Sequence, residues 1–259
     1  MRSTRFTDIR RFDTIDSTNR YLLDEARAGA PEGVVAVADH QEAGRGRLGR
    51  RWEAPPGTNL LVSVLLRPRL PAASRHLAST AVALAASDAV ARCAGSAPGI
   101  KWPNDLLGRD GRKLAGVLAE ADPGDTPDGS DGPVVVGIGI NVGWPAVEAD
   151  LPPELAGTAT SVLLDTGVAV DRQELLAGLL AALDPRVDAL ATPGGRTALS
   201  SELRDRCVTV GARVRVVLPA ESFEGIATDV TTEGHLVVDT GRGRRSVVAG
   251  DVVHVRPAG

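Results

Sequence analysis

The sequence predicts an α+β fold, with a larger unit built on a mixed sheet over residues 1–205 and a small all-β barrel over residues 206–259. Three observations predict it. In the larger part, strand hairpins and single helices are interspersed without a regular βαβ alternation, which argues against a purely parallel sheet. From Cys207 onward the pattern changes to short strands parted by turn residues, CVTVGARVRVVLP, ESFEGIATDV, GHLVVDTGRG and RRSVVAGDVVHVR, the signature of a small barrel of about fifty residues. Finally, 259 residues with 43% hydrophobic and 24% charged side chains can bury one large core or two unequal ones.

Taken in chain order, Arg11 to Ile15 reads as a short strand, and Asp16-Ser17-Thr18-Asn19 supplies several N-cap residues for a helix NRYLLDEARAGA that Gly29 and Pro31 stop. Gly33 to Ala38 is an apolar strand, His40 to Arg51 a polar loop, and Asn59 to Leu66 a second apolar strand. Ser74 to Gly95 is alanine-rich and helical. A strand then ends at Trp102, where Pro103 breaks it, and Arg109-Asp110-Gly111-Arg112 turns a hairpin into a strand from Lys113 to Ala121. Asp122 to Gly132 is a solvated loop, Val134 to Val142 an apolar strand, Gln173 to Leu190 a helix and Ser200 to Arg206 a last helical turn.

Composition excludes several classes. No apolar run approaches the ~20 residues of a membrane span, and MRSTRFTDIRRFDTID lacks the apolar stretch of a signal peptide. A cytoplasmic protein is expected. Cys93 and Cys207 are far apart and the four histidines scattered, which fits neither a disulfide framework nor a zinc site. A net charge of −4 does not favour DNA, although a local basic patch can still bind phosphate.

Only two of the 29 basic residues are lysines, Lys101 and Lys113, and both fall in IKWPNDLLGRDGRKLAGVLAE. In a chain that otherwise uses arginine, a retained ammonium points to charge handled at close quarters, or to chance. Gly44-Arg45-Gly46-Arg47-Leu48-Gly49 matches the dinucleotide fingerprint by letter, but Pro55-Pro56-Gly57 forbids the helix that must follow. What remains is a glycine-rich loop with Arg45, Arg47, Arg50 and Arg51, able to wrap an anion, to lie solvated, or to touch nucleic acid. Alternation sets Lys113 and Ala115 on one strand face with Gly116 free to admit a ligand, while Asn104 and Asp105 are either site residues or a turn pair after Pro103. Gly137-Ile138-Gly139-Ile140-Asn141 opens one strand face to a flat group, or is a core strand weakened by glycine.

Together DSTN, QEAGRGRLGRRW, KWPNDLL, RKLAGVLAE, GIGINV and the terminal AGDVVHVR resemble the biotin protein ligases along nearly the whole chain. The resemblance implies a mixed-sheet catalytic domain of the biotin/lipoate ligase type, an SH3-like C-terminal barrel, and a ligase without the winged-helix repressor part that bifunctional relatives carry. It implies ATP and biotin as substrates, Mg²⁺, and as partner the biotin carboxyl carrier domain of acetyl-CoA carboxylase or a related biotin-dependent carboxylase, with neither DNA nor membrane. A lipoate ligase, which shares the fold and chemistry, is the nearest rival, and GRGRLG with KWPND favours biotin.

By the same resemblance Ser17, Thr18 and Gln41 hydrogen-bond the ureido ring, Asn19, Gly44 and Gly116 border the biotin, and Arg45 and Gly46 add backbone contacts. Arg47 closes over the biotin carboxylate and the α-phosphate, and Lys113 bridges these two groups. Arg50 meets phosphate oxygens, Trp52 covers the adenine, and Asn104 and Asn141 contact the nucleotide. Asp105 holds Mg²⁺ or orients the incoming amine. Leu48 departs from the arginine of some relatives and removes one charge from the loop.

Overall fold

Residues 4–121, 132–248 and 250–255 are described by the computed structural model. The polar segment expected as a loop, Asp122 to Gly132, lies outside them except for Gly132. Strand β1 (Ile9–Ile15) leads into helix α1 (Thr18–Arg27), and of the four candidate caps it is Ser17, in extended backbone, whose side chain accepts from the Arg20 N–H. Strand β2 (Val35–Gln41) runs two residues into the segment expected as loop, and β3 (Leu60–Leu66) is buried at every position. Helix α2 (Leu77–Ala94) ends on Gly95 at φ 71°, the left-handed cap that glycine adopts without strain. Among the described residues it is the one helix apolar enough by length and composition to cross a membrane, but 67% of it is buried inside the molecule, so its apolar character serves the core.

Strands β4 (Gly99–Lys101) and β5 (Asp105–Leu107) form a hairpin around Trp102-Pro103-Asn104, and β5 then pairs with β6 (Lys113–Ala121). The hairpin expected at Arg109-Asp110-Gly111-Arg112 is thus present with β5 and β6 as its arms, and only the extent of its three-residue first arm was too short to read from alternation. Strand β7 (Val134–Ile140) completes a seven-stranded sheet in the order β1-β2-β3-β7-β6-β5-β4, parallel between β1 and β2 and antiparallel elsewhere. The mixed sheet that the sequence predicts is therefore present.

Helices α3 (Val162–Thr166), α4 (Arg172–Leu190) and α5 (Pro193–Arg206) follow. Helix α5 begins seven residues before the expected last turn, since Pro193-Gly194-Gly195 resembles a break but is an N-terminus: Thr192 caps it and proline occupies the first turn. Asp171 caps α4 by accepting from the N–H groups of Gln173 and Glu174 at 2.8 and 2.9 Å. Asp171→Ala is expected to lower the unfolding free energy by about 1 kcal/mol, read as a denaturant midpoint shift at constant slope.

The two faces of the sheet differ. Val35, Val37, Val62, Val64, Val136 and Ile138 face one way and share a core with α2 and α4. The opposite face is covered at one end by α1, where Leu22 and Ala26 meet Ala36, Leu65 and Val135. At its other end that face carries Gly137, Gly139 and Gly116, which leave room above the sheet.

The C-terminal strands β8 (Arg213–Val217), β9 (Ser222–Val230), β10 (Leu236–Asp239), β11 (Arg244–Val247) and β12 (Asp251–His254) make a second, antiparallel sheet in the order β11-β10-β9-β8-β12. Cys207 to Ala212, expected to open β8, instead ties the two sheets together. Val208 N–H bonds the Ile100 carbonyl at 3.0 Å, and Thr209 Oγ1 accepts from Trp102 N–H at 3.0 Å. The apolar core runs on through Val214, Val216, Leu236 and Val252, so this second sheet packs as an extension of the first.

Candidate active site

The register of four strands builds the floor. Gly139 on β7 pairs with Gly116 on β6, Gly116 with Asp105 on β5, and Asp105 with Lys101 on β4. The adjacent row, Ile140, Ala115, Leu106 and Ile100, is wholly buried in the core, so alternation turns the Gly139 to Lys101 row to the other face. Above it lies a cavity of about 310 Å³, within the usual size for a small-molecule site.

The flat group expected on the glycine face is the chain's own. A Cβ on Gly139 would overlap the Trp52 indole, at 2.7 Å from Cζ2 and Nε1, and one on Gly116 would stand 3.1 Å from Trp52 Cζ3. The indole thus rests on two glycines paired across β6 and β7. Its Nε1 is buried without a hydrogen-bond partner among the described residues.

One end of the cavity is a polar network. Gln41 Oε1 accepts from the backbone N–H and the hydroxyl of Thr18 at 2.8 and 3.1 Å, and Thr18 Oγ1 lies 2.7 Å from Ser63 Oγ. Ser63 in turn donates to Asn19 Oδ1 at 2.6 Å, and Asn19 Nδ2 reaches Glu120 at 2.8 Å. Gly137 permits this, for a Cβ there would collide with the Asn19 amide. Ser63 was not anticipated, because it sits unmarked in the apolar run NLLVSVLL, and only the Val-Ser-Val interruption hints at it.

The arginine loop closes the other side. After Gly46 a single 3₁₀ turn, Arg47–Gly49, takes the place of the long helix that a dinucleotide site needs, and Leu48 stands 71% exposed at φ 58°. Arg47 donates to Asn104 Oδ1 and to the Gly250 carbonyl, both at 2.9 Å, and Arg50 pairs with Asp251 at 2.6 Å. The second sheet therefore holds the loop through Gly250 and Asp251. Burial pulls the Arg47 pKa down from its ordinary value, opposed by Asp251 and Asp105, and a guanidinium so stripped of water gains more from an anion than an exposed one. Arg45 turns outward to Glu120 at 3.2 Å, which leaves its backbone to the cavity.

Lys113 Nζ lies 2.8 Å from Asp105 Oδ1 and 5.5 Å from the Trp52 ring centroid. The contact with Asp105 is an ion pair but is misaligned for a hydrogen bond, which leaves the carboxylate oxygen with unused acceptor capacity. Asn141, 7% exposed, is already engaged: it donates to the Thr160 carbonyl at 2.9 Å and accepts from Asn59 at 3.2 Å, keeping one N–H and one lone pair for a ligand.

Of the predicted residues, Ser17, Thr18, Asn19, Gln41, Arg45, Gly46 and Arg47 line this cavity from the first half of the site. Arg50, Trp52, Asn104, Asp105, Lys113, Gly116 and Asn141 line it from the second. Gly44 does not. Its carbonyl accepts from Trp52 N–H at 3.0 Å, and a Cβ would strike the Trp52 carbonyl, so Gly44 closes the loop on itself. Ser63, Asp251 and Trp144 join the lining without having been anticipated.

A polar pocket, a cationic loop and a lysine–carboxylate pair on one sheet face fit an enzyme that activates a carboxylic acid. Residues 11–141 match the Biotin/lipoate A/B protein ligase family and residues 209–255 the Biotin protein ligase C terminal domain, which sets the class. The chain is 43% identical over 249 residues to biotin--[acetyl-CoA-carboxylase] ligase of Mycobacterium tuberculosis, covering 93% of this chain and 86% of the relative. It is 32% identical over 240 residues to the bifunctional ligase/repressor BirA of Bacillus spizizenii, covering 93% of this chain and 72% of that one. In structure it is similar to the biotin protein ligase from Aquifex aeolicus in complex with biotin and ATP, with a TM-score of 0.81 at 25% identity over 97% of this chain and 100% of that one. The chain belongs to the biotin protein ligase family and is a ligase.

Proposed function

We propose that this enzyme activates biotin with MgATP as biotinyl-5′-AMP and transfers the biotinyl group to a lysine of a biotin carboxyl carrier domain, that of acetyl-CoA carboxylase or a related carboxylase. The observation that carries this reading is the junction of two unlike halves in one cavity. The neutral Thr18, Gln41, Ser63 and Asn19 network suits an uncharged ureido ring, and the adjoining Arg47, Arg50 and Lys113 suit a carboxylate and phosphates. Leaving ring amides unpaired in such a pocket costs about 1–3 kcal/mol each, so the network favours a ring with matching donors and acceptors.

In this reading Ser17, Thr18 and Gln41 hold the ring, with the backbone of Arg45 and Gly46. Arg47 and Lys113 bring the two anions together, Arg50 and Asn104 serve the phosphates, and Trp52 and Asn141 the nucleoside. The carboxylate oxygen bonds to the α-phosphorus as the bond to the β-phosphoryl oxygen breaks, and pyrophosphate leaves. The amine of the carrier lysine then attacks the acyl carbon, AMP departs and the amine loses a proton. The loop from Gly44 to Trp52 excludes the water that would hydrolyse the mixed anhydride. Among the described residues there is no cluster of three metal-ligating side chains. Magnesium usually takes one or two carboxylates and completes its shell with phosphate and water, and the spare acceptor capacity of Asp105 Oδ1 fits a metal that arrives with ATP.

We also assign residues 1–205 to the catalytic unit and 206–259 to an SH3-like barrel, a reading supported by five short antiparallel strands and the ladder order β11-β10-β9-β8-β12. The cytoplasm, where ATP is available, suits the two free thiols. Pyrophosphate release from MgATP tests the function: biotin alone is expected to support it. Release with lipoate but not biotin would move the enzyme to the sister branch, and release with neither would overturn the reading.

A further inference from the structure

Lys101 ends the row Gly139, Gly116, Asp105, Lys101, one strand beyond Asp105 on the same sheet face as the cavity floor. The other cations around this floor are engaged: Lys113 with Asp105, Arg50 with Asp251, Arg45 with Glu120, and Arg47 with Asn104 and the Gly250 carbonyl. Lys101 is half-buried, yet among the described residues it has neither a carboxylate partner nor a hydrogen bond. Leaving an ammonium half-desolvated and unpaired costs stability, and the expected compensation is an anion supplied from outside the protein.

The register says which anion. Along the row, the indole rests on Gly139 and Gly116, the Lys113–Asp105 pair comes next, and Lys101 lies furthest out, at the edge where β12 brings Asp251 and its partner Arg50. If the reacting carboxylate and α-phosphate meet at Lys113, the remaining phosphates extend outward along this row. We propose that Lys101 is a further catalytic residue of this site, binding the β- and γ-phosphates of ATP and stabilising the pyrophosphate as it leaves. This rests on the biotin-activating reading above. As the carboxylate oxygen bonds to the α-phosphorus, the bridging oxygen departs with the electron pair of the broken bond. Negative charge then grows on the pyrophosphate, where a compact cation is most effective.

The neighbourhood reserves that charge for an anion. Burial lowers the Lys101 pKa, Asp105 and Asp251 oppose this, and Lys113 and Arg50 add to it. A phosphate chain reverses the balance and keeps the ammonium charged. His254 offers no rival cation. Burial first and then the charge of Lys101 lower its pKa, and its Nε2 is 3.0 Å from Thr209 Oγ1.

The test compares wild type, Lys101→Met and Lys101→Arg in two half-reactions. Biotin-dependent exchange of labelled pyrophosphate into ATP is expected to fall by about 10²-fold in Lys101→Met, and inhibition by inorganic pyrophosphate to weaken about ten- to a hundredfold. Transfer to a carrier domain from supplied biotinyl-5′-AMP is expected to stay within about twofold of wild type, which also shows that the variant is folded. Lys101→Arg is expected to recover part of the exchange. Unchanged exchange and pyrophosphate inhibition in Lys101→Met would overturn the proposal, as would equal losses in both half-reactions. Absence of biotin-dependent exchange in the wild type would overturn the activating reading and this proposal together, so the two failures are distinguishable.

Discussion

Lys113→Ala is expected to slow adenylate formation by about 10²–10³-fold, the usual loss when one preorganised charge at a reacting centre is removed. The side chain reaches over Gly116, whose Cβ position would lie only 3.1 Å from Lys113 Nζ, so the ammonium occupies the space between the floor and the indole. The neighbouring cations do not replace it: Arg47 is tied to Asn104 and Gly250, Arg50 to Asp251, and Lys101 lies two strands away from Gly116 at the far end of the row. The fold is expected to survive. The local structure is held by main-chain bonds, from Lys113 N–H to the Thr158 carbonyl at 2.8 Å and from Thr160 N–H to the Lys113 carbonyl at 2.9 Å, and an alanine keeps both. Lys113→Arg is expected to recover little, because a planar fork does not fit where a point charge stands against glycine and indole. Single-turnover pyrophosphate release with a thermal melt checks this; release at the wild-type rate would remove Lys113 from the mechanism.

Gly139→Ala is expected to cost about 10²-fold in adenylate formation through displacement alone, since misplacing a reacting group by about 1 Å has an effect of that size. The added methyl enters the volume of the Trp52 ring. Trp52 cannot slide far, because its backbone N–H is bonded to Gly44, so the loop carrying Arg47 and Arg50 must lift with it. The β3 and β6 pairings of Gly139 are main-chain contacts that alanine retains. Tryptophan fluorescence and the ATP dependence of pyrophosphate release measure the two halves of this argument. A normal rate with an unshifted spectrum would show that the indole does not set the loop.

The same glycines show how far the sequence could be read. The alternation Gly137-Ile138-Gly139-Ile140 states that one face of β7 is core and the other open, and the structure has the isoleucines against α2 and α4 and the glycines under the site. What occupies the open face could not be read, because Trp52 reaches it from a loop 87 positions away, at a separation no periodicity records. The hairpin turned at Arg109 to Arg112 was legible from its turn residues, but the extent of its three-residue arm β5 was not, being shorter than any period. Gly44 reads like its neighbours in GRGRLG but closes the loop, a distinction that depends on the Trp52 carbonyl above it.

The sequence by itself determined the class of elements, the mixed sheet, the change of pattern at Cys207 and the chemical types gathered in the motifs, because these follow from local alternation, capping and turn chemistry. Only the tertiary structure decided that Ser63 joins Thr18 and Asn19, that Gly250 and Asp251 hold Arg47 and Arg50, and that Lys101 at the end of the floor has no partner among the described residues. Those facts depend on strand register and on packing between distant segments. A side chain's partners are set by which strands lie side by side, and the local pattern of the sequence carries no record of that.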